Sequence, residues 1–509
     1  MRMWSHGYNV EVPYTYGYYR ETSPLWAKWA LYLGGKRFLA ERNLRVLELG
    51  CGQGYNLCLH AAVFPEMEFL GIDFDPSHIA HAQELVRITG LRNIRFFEAD
   101  FVELKDNWPK EYGVFHYVIL HGIWSWISKP IREAVVEILR KVVVPGGVVY
   151  LSYNSLPGWL PGMILREVLH SYYKLSEKSA LQALEEGFQI LKFLEEADAL
   201  IFRILPNLKG RLEALVKANK NYLVHEYLHE THNLFWVHQV MEELEPAKLQ
   251  FVASATLTDN YLLSVLPEKV RDFINRFPHP GFRLFLIDLF ANQTFRRDLF
   301  QKGIITTSPT DHLRELMRVR FVCKEDPPKE YRFQVGGLEV SGKKEFYEPL
   351  MEELNKGERS LEELLRISPF KESGLPPLVQ ALTFLMSMDL IYMCNDGSNT
   401  KYAQGFNQRI VKLASEGAPY RFLASPKVGT GIPVSEMEMI IMSVLHEGPS
   451  NLEELATRAL QRLKKQNRSL IKEGKPLNNP EEERKYMKEL LTGFVNKKLK
   501  KLRELQVLP

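Results

Sequence analysis

Glycines and acidic residues stand at spacings that suit the binding of a nucleoside-containing ligand. The turn Gly50–Gly54 has glycine at every second position and directly follows the apolar run Val46–Leu49, which is typical of a buried parallel strand. Such a turn brings backbone amides and a helix N-terminus close to a ligand. Its spacing is one residue shorter than the dinucleotide fingerprint GxGxxG, which leaves less room for a pyrophosphate, and no GxxxxGK motif for a nucleoside triphosphate is present. Asp73, about 20 residues further on, is placed to accept both ribose hydroxyls, and Asp100 to accept from an adenine amino group.

Aromatic residues follow the fourth and fifth predicted strands, in His121–Trp126 and Tyr153–Trp159, where they would face the same crevice. The rings expected to surround an amine-bearing side chain are Trp124, Trp126, Tyr153 and Trp159, with Tyr14, Tyr16 or Tyr18. Aromatic faces favour a cation by roughly 0.5–2 kcal/mol. The alternative is that these rings fill the core beside the sheet. We expect Asn154 and backbone carbonyls to orient the amine, and a tyrosine hydroxyl or water to take its proton.

The segment His225–His229 spells HExxH, the zinc-peptidase helix motif. Two histidines four positions apart with a glutamate base are sound metal chemistry. However, Phe235 stands where the longer metzincin motif has its third histidine ligand. A structural helix is therefore the favoured interpretation, and the sequence assigns no metal site.

The four cysteines are scattered and form neither a disulfide framework nor a CxxC metal pair. They are Cys51, Cys58, Cys323 and Cys394. This usage suits a reducing cytoplasm. Cys51 lies in the glycine turn, but no histidine stands beside it in the sequence, so packing near the ligand is favoured over a role as nucleophile.

The composition is that of a globular protein, with 25% charged and 45% hydrophobic residues. The length of 509 residues predicts about three domains. The N-terminal segment lacks the apolar core of a signal peptide, and no apolar run is long enough to span a bilayer. We therefore expect a cytoplasmic protein without membrane insertion.

Nucleic acid is not favoured as a stable partner. The formal net charge of +3 creates no strong field that would attract it. Two segments, Arg462–Lys475 and Lys497–Arg503, are basic, but the glutamates Glu481–Glu483 and Glu504 interleave with them. This pattern is typical of a solvated protein face.

Strands and helices alternate along the first part of the chain, which predicts an α/β fold with a doubly wound, Rossmann-like sheet. The predicted strands are Val46–Leu49, Glu68–Ile72, Asn93–Glu98, Phe115–Leu120 and Val148–Tyr153, followed later by Gln250–Thr256 and Thr294–Gln301. An all-helical insertion is expected at about 164–235, because Leu184, Phe188 and Leu191 recur at helical period. We expect this first domain to span 1–305.

The remainder is expected to be mainly helical and to form two winged-helix-like domains, 306–428 and 429–509. The sequence LEEL occurs in both, at Leu361–Leu364 and Leu452–Leu455, within a weak internal repeat of three helices. The segment Lys401–Val428 is expected to link the two copies.

The glycine turn ELGCGQG, followed by GIDFD and EADF, resembles class I S-adenosylmethionine-dependent methyltransferases. This resemblance implies the cofactor S-adenosyl-L-methionine, with its methionine end at the glycine turn and its ribose at Asp73. The residues it implies for cofactor binding are Glu48, Gly50, Cys51, Gly52, Gly54, Asn56, Asp73, Phe74, Asp100, Phe101 and His121.

A narrower resemblance covers most of the chain. HGIWSWI after the fourth strand, YNSLPGW after the fifth, HEYL, and FLASPKVGTGIPV at Phe422–Val434 resemble bacterial protein-lysine methyltransferases. That type includes rickettsial enzymes that modify outer-membrane proteins and carries a regulatory domain. This sequence departs from the pattern at Glu21 and Ser23, where Gln and His are common. The resemblance implies that the methyl acceptor is a lysine side chain of a protein.

Together, the residues and the resemblance predict the acceptor side of the site. The candidate catalytic residues are His121, Trp124, Tyr153 and Asn154, and the candidate substrate-binding residues are Tyr14, Tyr18, Trp124, Trp126, Tyr153, Asn154 and Trp159. The (N/D/S)PP(Y/F/W) turn of enzymes that methylate planar amides or nucleobases is absent after the fourth strand. The alternatives are a small-molecule methyltransferase, a cofactor-binding scaffold, a DNA-binding winged-helix regulator and, most remotely, a zinc peptidase. The sequence leaves a homodimer open.

Overall fold

The computed structural model of the protein describes residues 16–38, 43–395, 399–448 and 450–509. Tyr14, one of the expected substrate-binding residues, lies outside these ranges. Among the described residues, no helix combines the length and the apolar character needed to cross a membrane.

Seven strands form one sheet at the centre of the first part of the chain. They are β1 (Arg45–Leu49), β2 (Glu68–Asp73), β3 (Ile94–Glu98), β4 (Phe115–Leu120), β5 (Val143–Asn154), β6 (Leu249–Ser254) and β7 (Phe295–Lys302). Their order is β3-β2-β1-β4-β5-β7-β6; β1 to β5 are parallel, and β7 is antiparallel to both β5 and β6. The predicted Rossmann-like sheet is confirmed. Because the strand order reverses between β1 and β4, a crevice opens there at the carboxyl ends of the strands.

The sheet separates two hydrophobic cores, since successive side chains of a strand point to opposite faces. Val46 and Tyr117 belong to one core, whereas Leu47 and Val118 belong to the other. All four side chains are fully buried. This is why the central strands read as unbroken apolar runs in the sequence.

Helices cover both faces of the sheet. The first five are α1 (Pro24–Leu33), α2 (Tyr55–Val63), α3 (Pro76–Thr89), α4 (Phe101–Leu104) and α5 (Lys129–Val142). α1 and α3 begin at predicted caps, with Ser23 and Asp75 each accepting a backbone amide and proline at the first helical position. α3 ends at Gly90, whose left-handed backbone closes the helix.

The chain between β5 and β6 is helical, as predicted. It forms α6 (Leu160–Leu175), α7 (Ala180–Glu196), α8 (Leu200–Ile204), α9 (Asn207–Lys217), α10 (Lys220–Tyr227) and α11 (Val237–Leu244). Leu165, Leu184, Leu212 and Leu223 are buried in a small core of this region, separate from the two cores of the sheet. The insertion is therefore a packed helical unit with a core of its own.

The rest of the chain alternates short strands with helices. Between β6 and β7 lie α12 (Leu262–Val265), α13 (Glu268–Asn275) and α14 (Pro280–Ala291). After β7 follow α15 (Pro309–Arg318), β8 (Arg320–Cys323), β9 (Tyr331–Val335), β10 (Leu338–Gly342), α16 (Lys344–Asn355), β11 (Arg359–Ser360), α17 (Leu361–Leu364), α18 (Phe370–Ser373), α19 (Leu375–Ser387) and β12 (Ile391–Met393). The last elements are α20 (Thr400–Ser415), β13 (Phe422–Ser425), β14 (Thr430–Pro433), α21 (Glu436–Leu445), α22 (Leu452–Lys465), β15 (Ile471–Lys472), β16 (Lys475–Pro476), α23 (Pro480–Gly493), a π-helical stretch Phe494–Leu499 and α24 (Lys500–Glu504).

This region contains more strands than the sequence indicated. β8 lies between β11 and β12 in an antiparallel sheet, and β9 pairs with β10, although the sequence predicted neither β8 nor this hairpin. The expected linker Lys401–Val428 holds α20 and β13 instead, and Phe406, Ile410 and Leu423 within it are buried. The domain boundaries and the winged-helix class stay predictions.

One of the two sheet cores continues without interruption into the C-terminal region. β13 and β14 lie against α2, the helix that follows the glycine turn. The Tyr55 hydroxyl on α2 donates to the carbonyl of Phe422 at 2.6 Å, and Gly431 lies so close to Leu59 that a Cβ there would be 2.9 Å from Leu59 Cδ1. The C-terminal region thus holds the helix that positions the crevice.

Candidate active site

A single cleft at the carboxyl ends of β1 to β4 collects the residues that the sequence singled out for cofactor binding. Those that line it are Glu48, Gly50, Cys51, Gly52, Gly54, Asn56, Asp73, Phe74, Asp100, Phe101 and His121. They come from the ends of four strands, β1 to β4, and from the helix after the first, so only the parallel sheet brings them together.

The glycine turn lines this cleft. Two of its glycines lack a side chain for different structural reasons. Gly52 has φ +51, and a Cβ there would meet no atom within 4 Å, so the missing side chain leaves open space for a ligand. At Gly54, with φ +77, a Cβ would lie 2.6 Å from Ala82 Cβ and 2.7 Å from Phe96 Cζ. Gly54 therefore lets α2 approach α3 and β3 closely, as the short glycine spacing indicated.

Asp73, at the end of β2, is fixed by the backbone around it. Its Oδ2 accepts from the amide of Gly52 at 2.8 Å and its Oδ1 from the amide of Asp75 at 3.0 Å. His78 Nδ1 lies 3.3 Å from the same Oδ1. Burial lowers the pKa of His78, but the hydrogen bond and charge of Asp73 outweigh it and raise that pKa. Since each carboxylate oxygen accepts more than one bond, Asp73 can still receive ribose hydroxyls.

Glu48 is buried below the glycine turn with one oxygen unsatisfied. Asn56 Nδ2 donates to its Oε1 at 3.0 Å, whereas Oε2 is buried without a partner among the described residues. Burial raises the pKa of Glu48 to about 8, and the charge of Asp73 acts in the same direction. An unsatisfied buried carboxylate oxygen is costly. A cationic group of a bound ligand would relieve this cost.

A strap formed by residues 16–19 crosses the cleft. Tyr16, Gly17 and Tyr19 line it, and the Tyr19 ring lies over the His121 imidazole with ring centroids 3.7 Å apart. The Tyr19 amide also donates to Asn56 Oδ1 at 3.1 Å. Tyr19 was not among the predicted site residues, although it belongs to the aromatic N-terminal segment that could cover a ligand.

Tyr18, which was predicted to bind substrate, points away from the cleft. Its hydroxyl shares a hydrogen bond of 2.6 Å with Thr430 Oγ1, and its ring lies beside His60 and Phe422. Neighbouring side chains of an extended segment point to opposite sides, so Tyr18 enters the core while Tyr19 faces the ligand.

His121 follows β4 and is held as a neutral imidazole. Its Nδ1 lies 3.0 Å from the Tyr150 hydroxyl. Burial, together with the charge of Arg297, lowers the pKa of His121 to about 3. At neutral pH, His121 is therefore a weak base.

Trp126, like Tyr16, is a member of the expected aromatic cage that lines the cleft. Its ring stacks on His232 at a centroid distance of 4.7 Å and an interplanar angle of 18°. Asn154 Nδ2 lies 3.2 Å from His232 Nε2, and the Trp159 ring lies 4.7 Å from the same imidazole. His232, which the sequence analysis missed, thus joins three of the predicted residues.

Trp124 and Tyr153 lie elsewhere. Both side chains are fully buried in the core on the other side of the sheet, and neither lines the cleft. The Tyr153 hydroxyl donates to Asp298 Oδ2 at 2.7 Å. This corrects the expected placement of the two rings: β5 alternates, so Tyr153 and Asn154 face opposite sides, and Trp124 fills the core beneath the turn that presents Trp126.

α10 and the loop after it bring the HExxH motif to the cleft. His225, Glu226 and His229 line the same cleft as the glycine turn. Burial raises the pKa of Glu226 to about 8, opposed by a hydrogen bond from Tyr222, and burial lowers the pKa of His229 to about 4. In the described part of the chain, no group of three His, Cys, Asp or Glu side chains could hold a metal ion.

The charged side chains described along the cleft are acidic. Four acidic residues line it, namely Glu48, Asp73, Asp100 and Glu226. Among the described residues that line it, none is lysine or arginine. The cleft therefore favours cationic ligands over anionic ones.

Comparison with known proteins agrees with this geometry. A family model described as a methyltransferase domain matches residues 46–147, and one described as a predicted methyltransferase regulatory domain matches 219–302. An uncharacterized protein of Synechocystis is 34% identical over 516 residues, covering 99% of each chain. An uncharacterized protein of Rickettsia prowazekii is 31% identical over 263 residues, covering 51% of this chain and 46% of the relative.

A solved structure, PKMT2 from Rickettsia typhi in complex with AdoHcy, shares the fold with a TM-score of 0.70 at 19% identity, covering 97% of this chain and 100% of that one. The fold and the site define a class I S-adenosylmethionine-dependent methyltransferase. Within that class, the chain belongs to the family, shared with the Synechocystis relative, that combines a methyltransferase domain with a methyltransferase regulatory domain.

The cleft fits S-adenosylmethionine, the cofactor of this class. Oε2 of Glu48 would meet the methionine ammonium, the open space at Gly52 would take the chain beside it, and Asp73 would receive the ribose. Phe74 and Phe101 line the end where an adenine would lie. When bound, the cofactor supplies a methyl group on a positively charged sulfur.

Proposed function

We propose that the protein transfers a methyl group from S-adenosylmethionine to lysine side chains of a protein. The acidic lining of the cleft carries this proposal: four acidic residues line it and, among its described lining residues, no lysine or arginine does. Such a cleft attracts an alkylammonium group and opposes the carboxylate or phosphate of an acidic acceptor.

The acceptor side is aromatic, and two histidines that line it are neutral at neutral pH. The Trp126 and Tyr19 rings line it, and burial keeps His121 and His229 neutral by lowering their pKa values to about 3 and 4. Aromatic faces stabilise an ammonium by roughly 0.5–2 kcal/mol. Desolvation also lowers the pKa of the amine, which must lose a proton before it can attack.

The protein's part in the reaction is chiefly alignment, because the methyl group is already activated. Asn154 is held through its contact with His232, and His232 is held by Trp126 and Trp159. We propose that this group orients the acceptor side chain as it enters the cleft.

The additions to the methyltransferase fold favour a macromolecular acceptor. The helical insertion forms a wall of the cleft through α10, and the C-terminal region packs against α2 and the strap. PKMT2 of Rickettsia typhi has the same architecture over 97% of this chain, which supports extending the resemblance seen in the sequence to this protein. We propose a cell-envelope protein as substrate and the cytoplasm as the place of reaction.

The proposal is tested by incubating the purified protein with methyl-tritiated S-adenosylmethionine and a bacterial envelope extract. We expect label in protein, recovered as methyl-lysine after acid hydrolysis, and no label with the Asp73→Ala variant, which loses the ribose contact. Label confined to the small-molecule fraction would instead indicate a small-molecule methyltransferase. Label on protein residues other than lysine would also overturn the proposal.

A further inference from the structure

One acidic residue of the cleft is not used by the expected cofactor contacts. Glu48, Asp73 and Asp100 stand where the methionine, ribose and adenine parts of the cofactor would lie. Glu226 comes from α10 of the helical insertion and lines the same cleft. It belongs to the HExxH motif, for which the described residues offer no third metal ligand.

Glu226 lines the same cleft as the residues expected around the methionine part of the cofactor. Among these residues, Asn56 donates to Glu48 at 3.0 Å and receives the amide of Tyr19 at 3.1 Å. On its own helix, Glu226 accepts a hydrogen bond from the Tyr222 side chain. The reacting sulfur of the cofactor joins its methionine and ribose parts, so an acceptor side chain that reaches it must enter the cleft that Glu226 lines.

Glu226 has no cationic partner within the described residues, since no ion pair includes it and no lysine or arginine lines the cleft there. The titratable groups around it are Tyr222, His225 and Tyr227 on α10, His229 just after it, and Tyr19 and His121 from other elements that line the cleft. An acidic side chain among tyrosines and histidines, partly exposed to the cleft, is suited to meet a cation from outside.

On the basis of the function proposed above, we propose that Glu226 binds the incoming lysine ammonium and takes its proton. One N–H bond of the ammonium breaks, and the proton passes to a carboxylate oxygen of Glu226. The freed lone pair of the nitrogen forms a bond to the methyl carbon while the carbon–sulfur bond breaks, and that electron pair stays on the sulfur of S-adenosylhomocysteine. Glu226 then releases the proton to water in the cleft.

The other titratable groups near Glu226 are less suited to accept the proton of the lysine ammonium. His121 and His229 have pKa values that burial lowers to about 3 and 4, so neither holds a proton near neutral pH. Burial raises the pKa of Tyr222, so its hydroxyl does not become an anion in that range. Burial raises the pKa of Glu226 to about 8, which makes its carboxylate a stronger base than an exposed glutamate.

The first experiment measures amine binding without turnover. The protein is saturated with S-adenosylhomocysteine and titrated with n-butylamine, a mimic of the lysine side chain, with n-butanol as the neutral control. The titration is done at about pH 9, where Glu226 is ionised and the amine is still a cation. We expect Glu226→Gln to weaken butylamine binding about tenfold, because a buried charged hydrogen bond is lost. Glu230→Gln, an exposed glutamate just beyond the motif, should match the wild type. Equal butylamine affinity in wild type and Glu226→Gln, or no preference of the wild type for butylamine over butanol, would overturn the proposal.

The second experiment uses the pH profile of kcat/KM for protein labelling. In the wild type, the rate should rise with an apparent pKa near 8 and then level off, whereas Glu226→Gln should keep rising toward the pKa of the free amine. An unchanged profile would overturn the role of Glu226. So would a variant whose only defect is weaker S-adenosylhomocysteine binding, since that result assigns Glu226 to the cofactor. If the wild type binds butylamine through Glu226 but labels no lysine, the proposed protein substrate fails while the amine site stands.

Discussion

The hydroxyl of Tyr18 and Oγ1 of Thr430 share a hydrogen bond of 2.6 Å, although 412 residues separate them in the chain. Tyr18 belongs to the strap that crosses the cofactor cleft, and Thr430 begins β14 in the C-terminal region. Nearby, Ser23 Oγ donates to the carbonyl of Gly429 at 2.8 Å. The C-terminal region therefore helps to hold in place the strap of residues 16–19 that lines the cleft.

This contact predicts the effect of Thr430→Val, which keeps the shape of the side chain but removes its hydroxyl. The Tyr18 hydroxyl would lose its buried partner, so the free energy of unfolding should fall by about 1–2 kcal/mol. The measurement is urea denaturation. In the double variant with Tyr18→Phe, part of this loss should be recovered, because both polar groups are gone. Additive losses would show that the two residues are not coupled.

Glu48→Gln should change how stability depends on pH. Folded Glu48 keeps its proton up to a pKa of about 8, whereas the ordinary value is 4.5. Between these values the unfolded chain binds fewer protons than the folded one, so the free energy of unfolding falls as pH rises, by about 1.4 kcal/mol per pH unit. Urea denaturation of the cofactor-free protein between about pH 5 and pH 8 should show a smaller fall in the variant. Glu98→Gln, at an exposed position, should keep the wild-type slope.

Gly52→Ala and Gly54→Ala should separate binding from stability. A Cβ at Gly52 projects into open space of the cleft, so its variant should lose affinity for S-adenosylhomocysteine with only about 1 kcal/mol lost from folding. A Cβ at Gly54 would collide with Ala82 and Phe96, so its variant should be destabilised by roughly 1–3 kcal/mol or more. Calorimetric titration and thermal unfolding measure the two effects. Equal stability losses would contradict the distinction.

Trp124→Ala and Trp126→Ala form a second matched pair. Trp124 is fully buried, so its loss should lower the free energy of unfolding by about 3–5 kcal/mol. Trp126 faces the cleft, so its loss should raise KM for the protein acceptor about two- to thirtyfold, the range of a cation–π contact. Labelling kinetics and denaturation test both. An unchanged KM in the Trp126 variant would show that this ring is not part of the acceptor site.

Much of the sheet was predictable because parallel strands covered by helices on both sides are unbroken apolar runs. β1, β2, β3 and β4 match their predicted ranges to within one residue. The C-terminal region was harder: β9 and β10 form a short, partly exposed hairpin, and α20 lies in a segment expected to be a linker. Both nevertheless carry a local signal: β9 alternates buried and exposed residues, and Ala403, Phe406, Ile410 and Val411 of α20 recur at helical spacing.

The sequence by itself determined the cofactor site, because the glycine turn and the acids at the strand ends are local patterns whose geometry follows from the parallel sheet. It did not separate Trp124 from Trp126, or Tyr18 from Tyr19, since a shift of one or two positions decides whether a ring faces the core or the ligand. Only the tertiary structure brought Glu226 into the cleft that the glycine turn lines. That meeting depends on how the helical insertion folds back onto the sheet, and no spacing within the sequence encodes such a long-range contact.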